Sequence, residues 1–146
     1  MDTDAAPHNF GRVLLADDNR QMIDITMRQI AGRYEIVGAV ANGRELVESA
    51  MEHEPDFGIV DISMPEMCGI DAVREIRARG SNMKVVFLTA IEDPDYVEAA
   101  FNAGAYGYVV KKHMASDLME ALSLAAKGLR FLSKCCQMPA EAKGQF

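Results

Sequence analysis

The 146-residue chain has no apolar run near the roughly 20 residues that a membrane-spanning helix needs. Its first stretch, MDTDAAPHNFGR, carries acidic groups where a secretory signal would carry basic ones. Neither a membrane protein nor an exported one is expected, and residues 1–11 read as a short disordered lead-in to a cytoplasmic protein. Cysteine is scarce: Cys68, Cys135 and Cys136 are an odd set with one adjacent pair, which is no disulfide framework. No CxxC spacing accompanies them, and His8, His53 and His113 show no ligand spacing, so a zinc site is not expected either. Reduced thiols are the default, with Cys68 a small loop residue. Basic residues are outnumbered, 15 against 22 acidic ones, for a net charge of -7. Nothing in that balance suggests nonspecific binding to nucleic acid or to an anionic membrane. Repeats and low-complexity blocks are absent, and no helix-turn-helix is visible, so this chain alone is not expected to bind DNA.

What is present is the material for one domain. The chain is 49% hydrophobic and 25% charged, enough for one sizeable core. Five short runs rich in Val, Ile and Leu read as strands: Arg12–Ala16, Tyr34–Val40, Asp56–Ile62, Lys84–Ala90 and Ala105–Lys111. The first, third and fourth are nearly continuous in apolar residues, as strands covered on both faces are. Helical patterns lie between them. Ile23, Met27 and Ile30 recur at helical spacing before Gly32, and Leu46, Val47 and Ala50 mark a second helix. Ile70, Val73 and Ile76 mark a third that ends at Gly80. A fourth opens on Pro94 and stops before Gly104, and a fifth covers SDLMEALSLAAKG with Ser116 as its candidate cap. The ten methionines fall mostly on helices and loops as gap fillers. Alternation of this kind implies βαβ units and a parallel sheet. Residues 12–128 form the expected domain, and 129–146 read as a tail or the start of a linker.

The polar residues at the strand ends carry the chemistry. The first strand runs into Asp17 and Asp18, the third into Asp61, the fourth into Thr89 and the fifth into Lys111. All C-terminal ends of a parallel sheet lie on one edge, and open α/β sheets bind ligands there. Spacing alone therefore gathers three carboxylates, a hydroxyl and an ammonium. Three close carboxylates repel unless neutralised, and a hard divalent cation such as Mg²⁺ suits an all-oxygen set. The plain alternative is that Asp17 or Asp18 caps the following helix. It leaves unexplained why a Thr and a Lys end strands on the same edge.

The ordered set ADDN, DISMPEMCGID, FLTA and GAYGYVVKK resembles the response regulator receiver family, the CheY-like phosphoacceptor domains of two-component signalling. Thr89 follows Asp61 by 28 residues and Lys111 follows Thr89 by 22. The segments YEIVGAVANGRELV and AGAYGYVVK look most like receivers of the NarL/LuxR type. The resemblance spans about residues 12–128 and implies a doubly wound (βα)5 fold with strand order 2-1-3-4-5. It implies Asp61 as the phosphorylated residue and Asp18 as a direct ligand of Mg²⁺ or Mn²⁺. Asp17 would act on the metal largely through water, and the backbone carbonyl of Ser63 would be a further ligand. Thr89 would bond a phosphoryl oxygen, Lys111 would pair with the phosphate, and Tyr108 matches the aromatic switch position. A plain reading of Tyr108 is a partly exposed strand aromatic. The family further implies a sensor histidine kinase or phosphotransfer protein as donor, a downstream effector or output domain as listener, and a possible homodimer. It implies a phosphoacceptor that assists its own phosphorylation and dephosphorylation, not an enzyme acting on other substrates. Many receivers have Pro after the Lys. Here Lys112 stands there, a cis bond without proline would cost about 3–4 kcal/mol, and the isomer is open.

Two other classes fit less well. A haloacid-dehalogenase-type phosphatase needs a second Asp two residues after its nucleophile, where this chain has Ser63. A flavodoxin-like cofactor binder needs a phosphate-cradling loop after the first strand. ADDNRQ offers carboxylates there instead.

Overall fold

The computed structural model describes residues 10–139. Six strands and five helices follow one another: β1 (Arg12–Ala16), α1 (Arg20–Ile30), β2 (Glu35–Val40), α2 (Gly43–His53), β3 (Phe57–Val60), α3 (Gly69–Ala78), β4 (Lys84–Thr89), α4 (Pro94–Asn102), β5 (Gly107–Val110), α5 (Met114–Ala126) and β6 (Phe131–Leu132). All pairings are parallel, in the order β2-β1-β3-β4-β5-β6. The expected 2-1-3-4-5 arrangement is therefore present, with one strand added at its edge.

The continuous apolar runs are explained by two covered faces. Successive strand side chains point to opposite sides. In β4, Val85 and Phe87 join one cluster with α2, α3 and α4, through residues such as Leu46, Ile76 and Val97. Val86 and Leu88 join the other, with Ile23 and Ile30 of α1 and Leu118 and Leu122 of α5. The helices start where local chemistry lets them. Asn42 accepts the N–H of Glu45 at 2.8 Å, and Asp93 accepts the N–H of Asp95 at 2.8 Å just before Pro94. At α1 the cap is Asn19, whose side chain accepts the N–H of Met22 at 3.2 Å, so neither Asp17 nor Asp18 serves as the cap.

Two expectations change. Ser116 does not cap α5. The chain leaves β5 through a single 3₁₀ turn, Lys111–His113, and enters the helix at Met114, which places Ser116 inside the first turn. Its hydroxyl donates there to the His113 carbonyl at 3.2 Å. The second concerns the stretch after Gly128, expected to be a tail or the start of a linker. Phe131 and Leu132 pair with Gly107 and Tyr108 as the sixth strand, and Cys136 and Met138 are buried in the cluster that holds Tyr108. The expectation for residues 1–11 lies outside the described residues except at its end. There Phe10 donates its N–H to Arg33 at 3.1 Å and sets its ring edge-on to Tyr34.

Ser133 fastens the added strand. It is fully buried, its hydroxyl donates to Asp117 at 2.7 Å, and it accepts the Val110 N–H at 3.1 Å. Ser133→Ala leaves that N–H and that carboxylate oxygen without a partner. It should cost about 1–3 kcal/mol, the usual cost of an unsatisfied buried group. A lower urea midpoint is expected, and an unchanged midpoint would show that the strap adds nothing to stability.

Candidate functional site

The site forms on the C-terminal edge of the sheet, where parallel strands bring their ends level. The Asp17 N–H donates to the Val40 carbonyl at 3.0 Å and the Asp61 N–H to the Ala16 carbonyl at 2.9 Å. Both aspartates therefore stand one residue beyond the last ladder position of their strands. Lys111 leaves β5 two strands away and reaches back across the edge. Its Nζ lies 2.9 Å from Asp17 Oδ2 and 3.2 Å from Asp61 Oδ2. Asp18 is exposed, yet one oxygen from each of Asp17, Asp18 and Asp61 lies within 4.8 Å of the others. Thr89 ends β4 at 1% exposure, and its hydroxyl accepts the Ile91 N–H at 3.3 Å.

The electrostatics are those of buried like charges bridged by one cation. Burial raises the pKa of the Asp61 carboxyl. The Lys111 charge opposes that rise, and the Asp17 charge adds to it. Burial works against the Lys111 ammonium too. The bond to Asp17 and the charges of Asp61 and Asp17 outweigh it, so its pKa lies above that of ordinary lysine.

The loop after Asp61 is shaped by close packing. Ser63 is exposed on it. The Pro65 carbonyl accepts the Met67 N–H at 2.7 Å, closing the turn. Gly69 opens α3 directly against Asp61, and a Cβ there would sit 2.1 Å from the Asp61 carbonyl oxygen. Only glycine fits that approach. The Lys111–Lys112 peptide is trans.

Tyr108 is fully buried, which removes the reading of a partly exposed aromatic. Its hydroxyl donates to the Ile91 carbonyl at 2.7 Å, and burial raises its pKa. Ile91 is thus held from both sides, by Thr89 through its N–H and by Tyr108 through its carbonyl. Sequence reading missed Ile91 because a backbone acceptor leaves no mark in side-chain identity. All three cysteines are free thiols, and burial pushes Cys136 up to about 12. His8 lies outside the described residues, and among those described no helix is long and apolar enough to cross a membrane.

The response regulator receiver domain model matches residues 13–123, and the chain belongs to that family. It is 42% identical over 130 residues to the transcriptional regulatory protein PdtaR of Mycobacterium tuberculosis, covering 88% of this chain and 62% of that protein. It is 42% identical over 120 residues to the chemotaxis protein CheY of Thermotoga maritima, covering 80% of this chain and 98% of that one. Among solved structures, a two-component response regulator of the LuxR family from Aurantimonas sp. SI85-9A1 superposes with a TM-score of 0.81 at 29% identity. That match covers 85% of this chain and 90% of the other. The chain thus spans less than two thirds of the PdtaR regulator and nearly all of a CheY. It is a receiver of two-component signalling, and the readings as a haloacid-dehalogenase-type phosphatase and as a flavodoxin-like cofactor binder fall away.

Proposed function

We propose that the receiver accepts a phosphoryl group on Asp61 and uses it to switch a protein-binding face. The observation that carries this reading is the Lys111 ammonium shared between Asp17 and Asp61, with the Asp18 carboxylate alongside. In the transfer, an Asp61 carboxylate oxygen forms a bond to phosphorus while the P–N bond of a phosphohistidine donor breaks. The imidazole leaves with the electron pair. The donor is a sensor histidine kinase or a phosphotransfer protein, and small phosphodonors serve in its absence. Phosphoryl transfer is mostly positioning and charge neutralisation, which is what these residues are arranged to supply. Lys111 neutralises an equatorial oxygen, and the Thr89 hydroxyl bonds another.

The donor set is oxygen only, anionic and clustered, which fits Mg²⁺ or Mn²⁺. Asp17, Asp18, Asp61 and the Ser63 carbonyl would hold it. When bound, the ion supplies positive charge to the phosphoryl oxygens. Its removal is the direct test: EDTA should abolish labelling by acetyl phosphate, and excess Mg²⁺ should restore it. Binding should raise folding stability by about 2.7 kcal/mol at a hundredfold excess over Kd, and Asp18→Asn should lose most of that rise. Labelling that persists in EDTA, or an Asp18→Asn protein stabilised like the parent, would contradict the assignment.

The switch is a population shift. A phosphoryl group drawing Thr89 toward it changes the hold on Ile91 and therefore on Tyr108. The face of α4, β5 and α5 reports that change to a downstream effector, an output domain or a second copy of the chain. The same site assists loss of the phosphoryl group to water. The protein acts in the cytoplasm, and this chain contacts no nucleic acid itself.

A further inference from the structure

We propose that Thr26 holds a single water molecule against the Asp17 and Asp61 carboxylates, and so acts as a positioning residue for the phosphoacceptor. The role rests on the reading of Asp61 as that acceptor. Five polar side chains are buried among the described residues: Asp17, Thr26, Asp61, Thr89 and Ser133. Asp17 and Asp61 bond Lys111, Thr89 bonds Ile91, and Ser133 bonds Asp117 and Val110. Thr26 is 3% exposed, and its hydroxyl has no hydrogen-bond partner among the described residues. The usual outlet for a threonine inside a helix is a bond to the carbonyl four residues back. Here that carbonyl belongs to Met22, and the bond is not made. A buried hydroxyl without a partner is costly, and native proteins satisfy such groups with protein or with ordered water.

The space beside Thr26 meets the need. A void of about 10 Å³ lies between α1 and the sheet, bordered by Thr26, Asp17 and Asp61 and by the apolar Leu15, Ile59 and Leu88. That volume is what one water occupies, and three polar neighbours fall within the two to four that hold a buried water. The hydrogen-bond directions also close. The Thr26 hydroxyl donates to the water oxygen, and the water donates one proton to each carboxylate. Asp17 and Asp61 then receive donors from beneath in addition to Lys111. The water eases their mutual repulsion and holds both carboxylates oriented for metal and phosphoryl group. Partners behind a metal-ligating carboxylate usually matter to affinity, by roughly 10–100-fold on removal.

Thr26→Val keeps the volume and deletes the donor, whereas Thr26→Ser keeps the donor. High-resolution crystal structures of the parent and of Thr26→Val, with calorimetric Mg²⁺ titrations of all three proteins, test the idea. The parent should show a water within hydrogen-bond reach of Thr26 Oγ1 and an oxygen of Asp17 or Asp61. Thr26→Val should lack that water and bind Mg²⁺ roughly tenfold more weakly, with Thr26→Ser close to the parent. No water in the parent, a Thr26 hydroxyl turned to the Met22 carbonyl, or unchanged Mg²⁺ affinity in Thr26→Val would overturn the proposal. If Thr26→Val does not fold, the parent structure and Thr26→Ser decide: a Thr26→Ser protein as weak as roughly tenfold below the parent would also overturn it. Failure of the acceptor reading appears separately, as a parent protein that acetyl phosphate does not label at Asp61.

Discussion

Asp61→Asn should abolish phosphoryl acceptance from acetyl phosphate in the presence of Mg²⁺, a loss on the order of a thousandfold or more. The substitution is nearly isosteric, so the sheet edge and the contact of Gly69 with the Asp61 carbonyl are kept. What disappears is the anionic oxygen proposed to bond phosphorus, and an amide is a far poorer nucleophile than a carboxylate. Residual labelling at the parent rate would place the acceptor elsewhere. The same variant carries a stability signature. Burial and the Asp17 charge raise the folded-state pKa of Asp61 above its unfolded value. A raised carboxyl pKa means that the folded state binds the proton more tightly. Ionised Asp61 therefore costs stability above its folded pKa, and the cost fades as the pH falls through that pKa toward the unfolded value. In EDTA at neutral pH, Asp61→Asn should melt above the parent, and the gap should close on acidification. A variant melting below the parent at neutral pH would mean that the Lys111 bridge outweighs the burial of charge.

Lys111→Ala should have the second largest effect, and it should depend on metal. Among the described residues, Lys111 is the one cation set between Asp17 and Asp61, whose side chains are 8% and 7% exposed. Removing one partner of a buried pair strands the other charge, at a cost of about 3–5 kcal/mol for full burial. Lys111 itself is 20% exposed, so about 2 kcal/mol is the expected loss of stability in EDTA. Mg²⁺ should restore most of it, since either cation relieves the same repulsion. Phosphoryl acceptance should remain impaired even at saturating Mg²⁺, because an equatorial oxygen then lacks its counter-charge. Denaturant melts with and without Mg²⁺ check the first statement, and acetyl phosphate labelling checks the second. Equal stability losses in both conditions would separate Lys111 from the carboxylate cluster.

The candidate site's location was legible because the side chains interrupt apolar runs. Asp17, Asp61 and Lys111 each follow a buried strand, Thr89 ends one, and a parallel sheet makes strand ends meet. The same logic could not see the caps. Asn19, Asp17 and Asp18 are all good capping residues, and backbone geometry alone selects Asn19. It could not see β6 either. Two residues show no alternation, and the strand exists because the β5 edge and the Ser133 bonds hold it. Tyr108 was ambiguous for a related reason. In β5 the outer and inner faces are both covered, so alternation carries no exposure signal, and Tyr108 lies wholly inside. Thr26 left a faint mark: it lies three residues after Ile23 and four before Ile30, a hydroxyl on the apolar face of α1.

The central claim is that Asp61 is the residue that takes the phosphoryl group. The most direct measurement is to label the parent protein with acetyl phosphate and Mg²⁺, reduce the acyl phosphate with borohydride and sequence the peptides by mass spectrometry. The expected result is homoserine at position 61 and at no other aspartate. Homoserine at Asp17 or Asp18, or none under conditions in which the folded protein binds Mg²⁺, would contradict it.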